Sequence, residues 1–301
     1  MIGLASVPFL VAAVLYGYRP RQSRLPPPAA TTWLLTILAL TVSLTCGVVL
    51  CAAAVTAAAQ LPLAGRLGDW STGAVHRGGP PLLVGGVAAA VIVTLLAMAT
   101  HRLAIALRAG RRARAAVGAL SESNAALVIV ADDLPTAYAL GLIRGRVVVS
   151  TAMLAALSPA ERRVLLAHEA AHLRHRHQAF VQLTELAAAA NPLLRPLTGA
   201  VRASVERWAD ESAATAVGDR RLAAHGLARA ALARARCPLP VALPIAQGDV
   251  TGRVQALLRP PVAARWPASC ALAALSAACW LASLAIVIRT HQLIEVAERL
   301  R

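Results

Sequence analysis

From Leu25 to Gly65 the chain carries no charged side chain, and a run of that length leaves few folds open. A helix needs about 20 predominantly apolar residues to cross the hydrocarbon core of a bilayer. A soluble helix of the same length would carry a polar face. Within the run, residues 33–59 predict a membrane span, and three further segments, 2–18, 80–100 and 266–288, read the same way. The composition agrees: 58% of the 301 residues are hydrophobic, 15% are charged and only 3% are aromatic, an aliphatic excess beyond that of a soluble domain. In the first segment Arg19, Arg21 and Arg24 follow the apolar run instead of preceding it. A cleavable signal peptide has the opposite order, so residues 2–18 predict an uncleaved span with its N-terminus outside.

The net charge of +16 comes from arginine alone, since the sequence has no lysine. A basic stripe on a soluble domain would point to nucleic acid, but these arginines cluster beside the spans. Arg19, Arg21 and Arg24 lie in the first loop, and Arg102, Arg108, Arg111, Arg112 and Arg114 follow the third span; the second loop holds only Arg66 and Arg77, with Asp69. The positive-inside rule therefore puts the first loop and residues 101–265 in the cytoplasm and both termini outside, with residues 289–301 as a short external tail. The arginines are a topology and inner-leaflet signal, and the expected partner is the lipid bilayer, with no nucleic acid. The five cysteines form no CxxC pair, and they read as small apolar packing residues.

Residues 101–265 have the length of one domain. "ALVIVADD" (126–133) has the β-branched content of a strand, and "TAYALGLIRGRVVVS" (136–150) reads as two short strands around Gly141 and a turn at Arg144-Gly145. Helical patterning follows to the end of the domain, broken by a loop at Pro238, Pro240 and Pro244. The expected fold is a four-helix membrane protein carrying an inserted, mostly helical α+β domain with a short sheet.

Ser158-Pro159-Ala160-Glu161 has the residues of a helix start: Ser at the N-cap, Pro at the first position and Glu three beyond the cap. The helix it opens carries "LLAHEAAHLRHRH" (165–177). His168 and His172, four apart, project from one face and can hold one metal ion, and Glu169 lies beside the open position as a general base. A third ligand is available downstream in "VERWADESAA" (205–214), where Glu206 can complete the site and Asp210, again four apart, can fix the tautomer of a ligating histidine. A third histidine ten residues after the first is excluded, because Gln178 occupies that position. Arg174, His175, Arg176 and His177 read as the cationic last turn of the helix. No oxyanion-stabilising side chain follows from the pattern; His225 and Arg229, on the next helix, are the candidates.

These residues resemble the membrane metallopeptidases typified by the BlaR/MecR β-lactam sensor-transducers. The resemblance rests on "RGRVVVS" leading into "LSPAERRVLLAHEAAHLRHRH", on the Asn-Pro segment "NPLLRPL" and on "VERWADESAA". It is specific over residues 136–216, and the arrangement of three spans before the domain and one after fits it as well. It implies a gluzincin-like, zincin-type domain facing the cytoplasm, with one Zn2+ per chain held by His168, His172 and Glu206 and with Glu169 as the catalytic residue. It also implies that the strand before the active-site helix, Val147, Val148, Val149 and Ser150, is an edge that pairs with substrate backbone. The sensor-transducers carry an external ligand-binding domain after the last span, which is not expected here. HtpX-type and prenyl-protein (CAAX) proteases share HExxH and a motif close to "ERWAD", and form the second resemblance.

The expected function is zinc-dependent hydrolysis of a protein substrate at the cytoplasmic face. The expected substrate is a protein or peptide, with a transcriptional repressor in a signalling pathway as one candidate, and a sensor protein or the repressor as a candidate partner. The alternatives are quality control of membrane proteins and a non-catalytic receptor built on a zincin scaffold.

Overall fold

The computed structural model describes residues 2–17, 26–119, 126–141, 145–236, 249–261 and 266–300. Arg19, Arg21, Arg24, Arg144 and the prolines 238, 240 and 244 lie outside the described residues. Helix α1 covers Ile2–Tyr16 and α2 Pro28–Ala58; α3 (Pro62–Gly68) and α4 (Thr72–Gly78) are short; α5 runs Leu82–Ala119. Strands β1 (Leu127–Val130), β2 (Ala137–Leu140) and β3 (Arg146–Ser150) follow. Then come α6 (Thr151–Ala156), α7 (Pro159–Arg174), α8 (His177–Ala190), a 3-10 turn at Pro192–Leu194, α9 (Arg195–Val217), α10 (Arg220–Ala235), α11 (Val250–Leu258) and α12 (Trp266–Arg299).

Among the described residues three helices, α2, α5 and α12, are long and apolar enough to cross a membrane. The 15 residues of α1 reach only about 22 Å at 1.5 Å per residue, short of a ~30 Å hydrocarbon core. Half of the apolar window of α2 is buried in the protein, against 11% for α5 and 17% for α12. So α2 is the inner helix, and the other two turn most of their surface outward. Hydroxyls along α2 donate to its own backbone, Thr45 to the carbonyl of Thr41 and Thr56 to that of Ala52, as an apolar setting requires. The helix α12 continues unbroken to Arg299, beyond the 266–288 span read from sequence. There it packs against the second loop, which folds into α3 and α4: the amide of Ser71 donates to the carbonyl of Ala297, and Val75 and Ala297 share a buried cluster.

The sheet corrects one expectation. Its order is β1-β3-β2, with β1 parallel and β2 antiparallel to β3. The segment Val147, Val148, Val149 and Ser150 is therefore the central strand, its backbone engaged on both sides, and not an edge. Val148 and Val149 are fully buried, and the Ser150 hydroxyl is spent accepting from the amides of Thr136 and Met153. Pairing with β1 on one side and β2 on the other sets this place, and the run of three valines suits it, since the strand is covered on both faces. The open edge nearest the helices belongs to β2.

A second correction concerns the helix of the histidines. The capping box forms as expected, with the Ser158 hydroxyl accepting from the Glu161 amide and the Glu161 carboxylate from the Ser158 amide. However, α7 stops at Arg174. Arg176 takes a left-handed conformation at φ 51°, and His177 begins α8. "RHRH" is thus a helix-to-helix corner, not one cationic last turn.

Past that corner, α8, the 3-10 turn and the first half of α9 form a hairpin laid along α2. Phe180 meets Trp33 edge to face at 4.7 Å, and Thr32 donates to Ser204 near the start of α2. At the hairpin tip the Asn191 side chain reaches Cys46, about 21 Å further along α2. One buried cluster joins Leu35, Leu38 and Val42 of α2 to Val181, Leu194, Leu197 and Val201 of the hairpin and Leu15 of α1. Glu185 on α8 pairs with Arg102 of α5 and Arg202 of α9, which ties the hairpin to α5 as well.

Candidate metal centre

Helices α7 and α9 pack face to face, and that contact assembles the cluster. His168 and His172 lie one turn apart on α7, and their Nε2 atoms stand 3.1 Å from each other. From α9, Glu206 brings its carboxylate oxygens to 3.6 Å from His168 Nε2 and 3.7 Å from His172 Nε2. Ligand atoms of the three residues all fall within 4.8 Å of one another, and theirs is the only such group of potential ligands among the described residues.

The opposite ring nitrogens decide what the converging atoms can do. Asp210, one turn beyond Glu206, accepts from His168 Nδ1 at 3.0 Å, so a neutral His168 ring presents its lone pair at Nε2. His172 Nδ1 lies 3.0 Å from His177 Nδ1. With both rings neutral and their Nε2 lone pairs turned inward, two lone pairs and a carboxylate would face one point, an arrangement that a shared cation stabilises. Two tetrahedral ligands at Zn–N distances of about 2.0–2.1 Å would stand roughly 3.3 Å apart, close to the separation seen here. The donor set His-His-Glu fits zinc.

The electrostatics point the same way. Burial disfavours an imidazolium at His168, yet Asp210 and Glu206 outweigh it and push the pKa up to about 9. Burial also opposes the Glu206 carboxylate, while His168, Arg253 and His172 hold it ionised well below the usual range. Asp210, only 5% exposed, is kept ionised against desolvation by Arg253 and His168. The pocket therefore retains its anions and attracts positive charge. His177 is driven the other way: burial, then His172 and His175, lower its pKa to about 3.

Glu169 is buried, its side chain 8% exposed, on the turn between the two histidines. Arg234, near the end of α10, reaches it at 3.8 Å and also donates to the carbonyl of Ala137 at 3.0 Å. One guanidinium thus spans from Glu169 to the outer edge of β2. The two candidates named on α10 do something else: His225 pairs with Glu161 at 2.8 Å and Arg229 with the same oxygen at 3.8 Å. They sit about two turns from His168, at the start of α7, and not beside the His168–His172–Glu206 cluster.

Sequence reasoning missed Arg253 altogether. From α11 it forks onto Asp210 with two hydrogen bonds of 2.7 Å, and its third nitrogen lies 3.0 Å from Glu206. It is 43 residues from Asp210 in the chain, and no local spacing marks it. The N-cap Asp249, whose carboxylate accepts from the Gly252 amide, was the one available sign that a further helix starts there. His177 was also misjudged: it is 1% exposed and touches His172. Trp208 covers this side, with ring centroids 4.6 Å from His175 and 4.8 Å from His177.

Comparison with known proteins gives a match to one family model, peptidase family M48, over residues 102–291. No curated protein and no solved structure matches significantly. The matched stretch begins at the cytoplasm-facing end expected for α5 and runs into α12, so it contains every residue of the cluster.

Proposed function

The chain belongs to peptidase family M48, and from that premise we propose that it is a zinc-dependent endopeptidase, one zinc per chain, that cuts a protein substrate at the cytoplasmic face of the membrane. The family makes it a metallopeptidase, and its three long apolar helices are consistent with a membrane setting. The match does not separate the BlaR/MecR-type from the HtpX-type resemblance. The observation that carries the proposal is the convergence of His168, His172 and Glu206, with Glu169 alongside.

In this reading His168, His172 and Glu206 hold the metal. Zinc, when bound, supplies Lewis-acid polarisation of a carbonyl and a lowered pKa for a water. Glu169 takes the proton of the attacking water and returns it to the leaving amine. Asp210, clamped by Arg253, holds the His168 ring with Nε2 toward the metal. Substrate enters along the outer edge of β2, since β3 has no free edge, and Arg234 links that edge to Glu169.

The cytoplasmic placement rests on the arginines beside the spans. The substrate is a protein segment brought to the bilayer surface, either a soluble repressor or a membrane protein. The second is favoured by the site's position: Trp208, beside His177, also lies 6.0 Å from Phe180, which packs on Trp33 at the start of α2. Glu169→Gln tests the mechanism. The variant should retain metal and lose proteolysis, and full activity would refute it. Crosslinked substrates trapped by the same variant then distinguish a single repressor from a set of membrane proteins.

A further inference from the structure

Each of the two histidines of the cluster has its second ring nitrogen engaged, but by different partners. For His168 the partner is a carboxylate, Asp210. For His172 it is another imidazole: Nδ1 of His177, 3.0 Å away. Had α7 continued as a straight helix, residue 177 would lie about 140° round from residue 172 and could not face it. The corner at Arg176 removes that obstacle. A non-glycine residue at φ 51° is a conformation that L side chains adopt at a cost, and here it turns His177 back onto His172.

Proton bookkeeping fixes the roles. Nε2 of His172 faces Nε2 of His168 and the Glu206 carboxylate, so for a ligand at that atom the single proton of a neutral ring sits on Nδ1. That proton points at His177, whose Nδ1 must accept it. His177 then carries its own proton on Nε2. This atom is buried without a hydrogen-bond partner, in a side chain only 1% exposed, stacked on His175 and tilted against Trp208. An orphaned donor in a sealed place is what remains when the other nitrogen is committed to a task.

We infer that His177 is a positioning residue for the metal centre: it accepts the Nδ1–H of His172 and so presents His172 Nε2 as a ligand. The inference rests on the His168–His172–Glu206 reading above and goes beyond it in giving the second histidine an imidazole, not a carboxylate, as its orienting partner.

The test uses full-length protein in detergent, with zinc affinity measured by competition against a fluorescent chelator. His177→Phe fills the space but cannot accept, whereas His177→Asn is smaller and keeps an acceptor near the Nδ1 position. The expected result is zinc binding about 10–100-fold weaker for His177→Phe and within about threefold of the parent for His177→Asn, the range seen when such outer partners of ligating histidines are lost or replaced. A purely packing role predicts the reverse order. Parent-like affinity in His177→Phe, or equal losses in both variants, would overturn the inference. His172→Ala separates this from failure of the site: if His172→Ala binds zinc as the parent does, the cluster is not the metal centre and there is nothing to position. Should His177→Phe not fold, 15N-histidine spectra of the zinc-loaded parent decide instead. A proton on His172 Nδ1 supports the inference, and a proton on His177 Nδ1 with none on His172 Nδ1 overturns it.

Discussion

Replacing Arg253 probes how His168 and Glu206 are held in place. Its guanidinium makes two 2.7 Å hydrogen bonds to Asp210 and a 3.0 Å contact with Glu206. The side chains involved are 14%, 5% and 38% exposed, so the Asp210 pair lies near the buried limit and the Glu206 pair does not. Removing one partner of a buried ion pair costs about 3–5 kcal/mol, because the other charge is left unpaired. Asp210 keeps one donor, His168 Nδ1 at 3.0 Å, which sets the expectation for Arg253→Met at the lower figure, about 3 kcal/mol, or roughly 6 °C in Tm. Zinc affinity responds to two opposing effects. Loosening Asp210 frees the His168 ring, while losing a positive charge beside Glu206 favours the cation. Arg253→Lys isolates the first effect, since it keeps the charge but cannot fork onto both carboxylate oxygens. It should bind zinc about tenfold more weakly than the parent. Thermal unfolding of metal-free protein and chelator-competition titration read the two quantities. If both variants match the parent in Tm and Arg253→Lys matches it in zinc affinity, the reasoning is refuted.

Two further expectations concern the start of α7. Ser158→Ala removes the N-cap acceptor and should cost about 0.5–2 kcal/mol in unfolding experiments, with Ser158→Asp restoring most of it; no loss would mean the cap is not holding the helix. The Glu161 carboxylate is held below its usual range: burial opposes ionisation, but hydrogen bonds from Ser158 and the charges of His225 and Arg229 prevail. A carboxyl whose folded pKa is depressed stabilises the fold above its unfolded pKa of about 4.3, and that contribution disappears as the pH falls through the folded value. Glu161→Gln should therefore lower Tm at pH 6 and flatten its decline between pH 5 and pH 3, measured without metal; parallel curves for parent and variant would contradict this.

Features encoded within a few neighbouring residues were legible in the sequence. Ser158, Pro159 and Glu161 announce the start of α7, and the four-residue spacings of His168 with His172 and Glu206 with Asp210 place two pairs of side chains on two helix faces. Contacts across the chain were not legible. The central place of β3 depends on which strand pairs on which side, and three valines in a row are compatible with an edge or an interior until β1 and β2 are seen. The corner at Arg176 lacks the glycine that ordinarily marks a left-handed residue, so nothing local warned that His177 leaves α7 and returns to His172. Arg253 joins the site from a helix beyond a proline-rich stretch, and arginine is too common in this chain for its identity to be a signal. The apolar stretch of α8 is too short to span a bilayer, and its actual role, one arm of a hairpin against α2, appears only from Phe180, Asn191 and their partners.

The central claim is that α7 and α9 together hold one metal ion. Metal content of purified protein, measured by mass spectrometry on the parent, Glu169→Gln and Glu206→Ala, tests it most directly. The account predicts about one zinc per chain in the parent and in Glu169→Gln, and a large loss in Glu206→Ala, where the third ligand is gone. A Glu206→Ala protein that is folded and still carries a full zinc complement would contradict it.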